Sequence, residues 1–266
     1  MNTQIILVII LTFVIHLIST LSYALRIAGI RTGQIAVSFA LFNVLVLVSR
    51  TSNTFQGPLL AKHVERSILG GAPSGLETEL RWLLMAASFA TIVGMFLIPT
   101  FQRLFTSAIY AFGTYRSVPR LLLRGLSRTG LQQLRNAASI PATENLTRLS
   151  LRGSPRKILV YNIVATALLT VGVFASLYAG SLNPELRVTA NNLSPVINGL
   201  STLLLFLFID PYLSLLTDDV MQGRATEAQF RRCVVLFASG RFIGTVLAQL
   251  LLVPAARVIV VVAELL

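Results

Sequence analysis

The sequence predicts an all-α polytopic membrane protein with six spanning helices. Three observations predict it. The 266 residues are 55% hydrophobic and only 12% charged, with mean hydropathy +0.77, whereas a soluble domain carries about 25% charged residues. The apolar residues gather into six stretches, each near the roughly 20 residues a helix needs to cross the hydrocarbon layer. The basic residues sit between these stretches. The formal net charge of +12 is therefore read as a topology signal and not as a nucleic-acid surface. The lone cysteine, Cys233, excludes an intramolecular disulfide and any Cys-rich metal site.

Taken in order, the expected spans are 5–24, 35–60, 82–104, 158–178, 196–216 and 233–253, within a single membrane domain covering 1–266. The first is read as a retained helix, because no Lys or Arg precedes it to form the charged start of a cleaved signal. The last can run on to Val262, with a kink at Pro254. Between the third and fourth spans, 106–157 forms a basic loop. Its vicinity carries Arg103, Arg116, Arg120, Arg124, Arg128, Arg135, Arg148, Arg152, Arg156 and Lys157 against one acid, Glu144. Lys and Arg stay on the cytoplasmic side, so this loop is expected there and both termini on the outer face. Arg116, Arg120, Arg124 and Arg128 recur every four residues among leucines. That pattern suits a helix lying on anionic lipids. Three spans per half place the halves in opposite orientations, as in inverted-repeat transporters. The halves share no convincing identity, so an unsymmetric bundle remains the other architecture.

Polar residues inside the spans carry the functional reading. Arg50 lies deep in span two within LVLVSRTSNTFQGPLL, beside Asn53 and Gln56. A charge there costs about 2.5–3.5 kcal/mol on insertion scales, so it is expected to face a cavity and bind an anion. Gly57-Pro58 permits a break in that helix. Asp210 precedes Pro211 in span five and is expected to pair with Arg241 or Arg50, or to take up a proton. Arg241 lies two turns into span six, near Gly240 and Gly244, a pair that suits either internal packing or dimerisation. His16 is a candidate coupling residue or a hydrogen-bonded core residue. Arg26 and Arg31 stand at the cytoplasmic entrance. No HExxH, GxSxG or Walker motif and no Cys/His cluster is present, so no catalytic residue, metal or cofactor is expected. Asp218-Asp219 is the one weak metal candidate.

The segments HLISTLSYALRIAGIRTGQIAVSFALFNVLVLVSRTSNTFQGPLL, IDPYLSLLTDDV and SGRFIGTVLAQLLLVPAA resemble the bacterial Amj family, the alternate lipid II flippases that can replace MurJ. The resemblance covers most of the chain and is weakest in the basic loop and 180–195. It implies a translocase in the bacterial cytoplasmic membrane. Its cargo would be undecaprenyl-pyrophosphate-linked peptidoglycan precursor, lipid II, carried from inner to outer leaflet for cell-wall synthesis. The chemistry agrees: an anionic head needs cations in a polar passage, and guanidinium forks suit phosphate oxygens. On this reading Arg50, Asn53, Gln56, Arg241, Arg26 and Arg31 contact substrate, and the chain works with anionic lipids around it, as a monomer in the first reading and a homodimer in the alternative. Two other readings stand beside it: a membrane enzyme acting on polyprenyl phosphates, and a non-transporting assembly protein.

Overall fold

The computed structural model describes residues 3–70, 75–115, 117, 120, 125, 127–139 and 156–266. Among them are six helical runs long and apolar enough to cross a membrane. The first three are α1 (Thr3–Thr32), α2 (Ile35–Leu69) and α3 (Leu76–Tyr115). A short α4 (Arg128–Ala137) precedes the fourth span, α5 (Arg156–Leu182). The fifth span is built from pieces: a 3-10 turn (Pro184–Leu186), α6 (Arg187–Asn192), α7 (Ser194–Leu204), a π turn (Leu205–Ile209) and α8 (Asp210–Met221). The sixth is α9 (Glu227–Leu265).

The helices outrun the apolar stretches, because helical hydrogen bonding does not stop where the lipid does. Local chemistry sets their ends. Gly33, at φ +66°, turns α1 into α2 in a conformation that favours glycine. Thr226 and Gln229 form a capping box that starts α9. α3 continues to Tyr115, so the first ten residues of the expected basic loop are helical. Of the arginine stripe, Arg116 and Arg124 lie outside the described residues. α4 begins on Ser127, whose hydroxyl accepts from the Gly130 N–H, and Ser139 beyond it exchanges hydrogen bonds with Thr100 of α3 at 3.1 and 3.2 Å.

One expectation is corrected here. α2 does not break at Gly57-Pro58; it runs through Pro58 without interruption. Proline deletes a single donor, and the remaining bonds of a long helix hold where lipid offers no alternative partner. α9 likewise continues past Pro254 to Leu265.

Two three-helix halves make up the bundle. In each, the first helix packs chiefly on the third: α1 on α3, and α5 on α9. Lipid gives helices no hydrophobic reason to associate, so close approach and interhelical hydrogen bonds hold them. A Cβ on Gly94 of α3 would sit 2.7 Å from Thr20 Cβ of α1, and one on Gly244 of α9 would sit 2.7 Å from Thr166 Cβ of α5. Gly240 is closed against Asn162 and Leu159, so the Gly240/Gly244 face serves internal packing. Side chains then donate to backbone across helices: Asn162 Nδ2 to the Phe237 carbonyl (2.9 Å), Ser201 to Ala165 (2.6 Å) and Ser38 to Leu25 (2.8 Å). Such bonds are worth about 0.6–2 kcal/mol each in membranes.

Both termini lie at one end of the bundle, and α4 belongs to the other. At the terminal end a dry cluster joins both halves, including Ile5, Val8, Leu60, Val64, Val171 and Leu252. At the basic end the packing is divided. Tyr23, Ile209, Leu213, Phe230 and Phe237 form one cluster, and Leu25, Ala28, Leu41 and Ile109 form another.

Candidate functional site

A cavity of about 420 Å³ runs between the halves. Its walls follow helical periodicity. On α1, Thr12, His16, Ser19, Tyr23 and Arg26 recur at intervals of three and four and all line it. α2 supplies Val46, Ser49, Arg50, Asn53 and Gln56. The fifth span contributes Asn198, Thr202, Leu205, Ile209 and Asp210, and α9 contributes Arg241. The two helices that frame it most openly are also the least packed. Only 11% of the apolar window of α2 and 17% of that of the fifth span is buried, and the two do not pack along their lengths.

Toward the basic end, Arg26 Nη2 donates to Asp210 Oδ1 at 2.8 Å, with the Arg26 guanidinium 5.8 Å from the Phe39 ring centroid. This corrects the expected partner of Asp210, which was Arg241 or Arg50. The cause is local. Pro211 has no N–H to give the preceding turn, and the Asp210 N–H reaches back five residues to the Leu205 carbonyl. The widened turn lets both Ile209 and Asp210 line the cavity, where Asp210 meets α1.

Arg50 borders the cavity near the middle of α2 and, among the described residues, makes no ion pair. Asn53 is exposed beside it, while Gln56 is buried. Gln56 Nε2 donates to Thr12 Oγ1 at 2.8 Å, and Thr12 donates on to the Val8 carbonyl; its amide thus ties α2 to α1. Arg241 and His16 are 8% and 7% exposed. Arg31 stands apart from the lining. Its Nε donates to Glu227 Oε1 at 2.6 Å, joining the end of α1 to the start of α9.

Toward the terminal end lie the apolar cluster and a set of polar ties between helices. Arg81 binds Glu77 (2.8 Å) and donates to the Gln249 carbonyl (3.0 Å), while Gln249 Nε2 donates to the Arg81 carbonyl (3.0 Å). Tyr178 donates to Glu77 (3.1 Å), and His63 Nε2 meets Glu79 at 2.6 Å.

A family model described as Amj, Alternate to MurJ, matches residues 11–263. The chain belongs to the Amj family. It is 36% identical over 256 residues to the Lipid II flippase Amj of Bacillus subtilis (strain 168), covering 96% of this chain and 95% of that protein. No solved structure matches it significantly. In this Amj-family chain Asp219 is held by Arg224 at 2.7 Å, and among the described residues no three His, Cys, Asp or Glu side chains converge as a metal site.

Asn198 was missed by sequence reasoning, as were the threonines and serines of α1. Asn198 sits in NNLSPVINGLST, where polar residues are too frequent to mark one face. The α1 stripe was legible in principle, because Thr12, His16, Ser19, Tyr23 and Arg26 keep helical spacing inside an otherwise apolar span.

Proposed function

We propose that this chain is a lipid II flippase: it moves a polyprenyl-pyrophosphate-linked muropeptide between the leaflets of the bacterial cytoplasmic membrane. It is a carrier and not a catalyst. One observation supports this most: a cavity lined by Arg26, Arg50 and Arg241 beside two loosely packed helices. The pyrophosphate and sugars enter the cavity, and the apolar chain stays outside, in lipid between α2 and the fifth span. The basic end faces the cytoplasm, in keeping with the Lys/Arg asymmetry, and both termini face outward. The chain acts alone.

The physical case is desolvation. A phosphate leaving the headgroup layer loses hydration, and guanidinium groups replace part of it with charge-assisted hydrogen bonds. Arg50 carries no competing acid among the described residues, so its fork is open to substrate. Arg26 lies at the entrance and holds Asp210 until an anion competes for it. Arg31 steadies the entrance through Glu227. Affinity along the path must remain moderate, because a deep well in mid-passage traps the cargo. The test is a cellular assay for externally accessible lipid II in cells whose only flippase is this protein. Export that depends on the chain supports the reading; a well-expressed chain that inserts and exports none refutes it.

A further inference from the structure

Two kinds of tie hold these helices together. Within a half, buried amides and hydroxyls bond across helices: Asn162 to the Phe237 carbonyl, Ser201 to the Ala165 carbonyl, and Gln56 to Thr12. Between the halves, charged side chains carry ties at both ends of the bundle. At the basic end Arg26 meets Asp210, and Arg31 meets Glu227. At the terminal end Arg81 and Glu77 of α3 reach α9 and α5. Arg81 Nη1 donates to the Gln249 carbonyl at 3.0 Å, and Gln249 Nε2 returns a bond to the Arg81 carbonyl at 3.0 Å. The Tyr178 hydroxyl donates to Glu77 Oε2 at 3.1 Å.

Exposure separates the two kinds. Asn162 and Ser201 are 1% and 0% exposed, so pulling their helices apart strands a buried donor. The Arg81 and Glu77 side chains are 40% and 38% exposed. Water takes over their bonds as they part, which makes such ties weak and readily remade. Placement is the second observation. Leu169, Thr170, Val173 and Phe174 of α5 line the cavity. Tyr178 continues that face one turn nearer the terminal end, with its ring against the apolar cluster. We infer that Glu77, Arg81, Tyr178 and Gln249 form a latch between the halves at the terminal end, which parts to let the head of the cargo leave. This rests on the flippase reading and adds to it the seam at which the halves separate.

The test uses the full chain carrying Cys233→Ser. Spin labels on cysteines at Thr78 of α3 and Leu182 of α5, both exposed, report the separation of the halves in nanodiscs by pulsed electron paramagnetic resonance. Tyr178→Phe with Gln249→Leu should raise the population at longer distance about tenfold, the effect of two net hydrogen bonds lost from the tied state alone. Tyr178→Phe by itself keeps the ring and its packing, and should raise that population about threefold even if Gln249→Leu folds poorly. In cells, cysteines replacing Glu77 and Tyr178 are bridged with a short cleavable thiol reagent. Bridging should stop lipid II export, and cleavage should return it to the unbridged level. Unchanged distances in well-folded variants, or undiminished export by a fully bridged chain, overturns the latch. The two readings fail separately. A parent that exports no lipid II while the distances lengthen removes the flippase and leaves the seam; export that persists through the bridge does the reverse.

Discussion

At the residue scale, the cavity contains two kinds of arginine. Arg26 is tied to Asp210, whereas Arg50 has no acid partner among the described residues. Arg50→Ala is expected to abolish lipid II export at normal expression. Arg50→Lys should keep part of it, because the charge survives and the planar fork does not. Full export by a well-inserted Arg50→Ala protein would remove Arg50 from the path. Arg26 and Asp210 form a partly buried pair, with side chains 14% and 40% exposed, so breaking it costs less than the 3–5 kcal/mol of a fully buried pair. Asp210→Asn should lower thermal stability in detergent, and adding Arg26→Gln should restore much of that loss without restoring export. A double variant less stable than either single would show that the pair is not a unit.

At the element scale, the six spans are legible in sequence because lipid forces each backbone segment to satisfy its own hydrogen bonds, so length and apolarity mark them. The polar face of α2 is legible for the same reason: Arg50, Asn53 and Gln56 are costly anywhere but a cavity. The Arg26–Asp210 pair is not, since it joins residues 184 apart through a π turn that leaves no periodic trace in the sequence. Gly57-Pro58 misled in the opposite direction, because a helix this long tolerates the loss of one donor. The loose seam between α2 and the fifth span yields a direct test. With Cys233→Ser as background, cysteines at Val46 and Phe206, both on the cavity wall, are bridged with bifunctional thiol reagents. Bridging should stop export, and a cleavable bridge should release it on reduction. Undiminished export by a fully bridged chain would place the apolar chain of the cargo elsewhere.

At the scale of the whole molecule, the orientation is open to a direct check: a cysteine at Ser139 should resist impermeant maleimide in intact cells and react once the membrane is opened. Labelling from outside would invert the topology. The halves also share a rule of assembly. Glu77 pairs with Arg81 four residues on, ahead of the Gly94 contact with Thr20; Glu227 approaches Arg231 at the same spacing, ahead of the Gly244 contact with Thr166. Gly94→Val and Gly244→Val should therefore destabilise the protein by similar amounts, about 1–3 kcal/mol each, as read by thermal unfolding. α1 ends beside the start of α9 through Arg31 and Glu227, and α5 starts beside that same region through Asn162 and Phe237, so the halves run in opposite directions. In each half, then, a glycine closes the third helix on the first, Gly94 on Thr20 and Gly244 on Thr166.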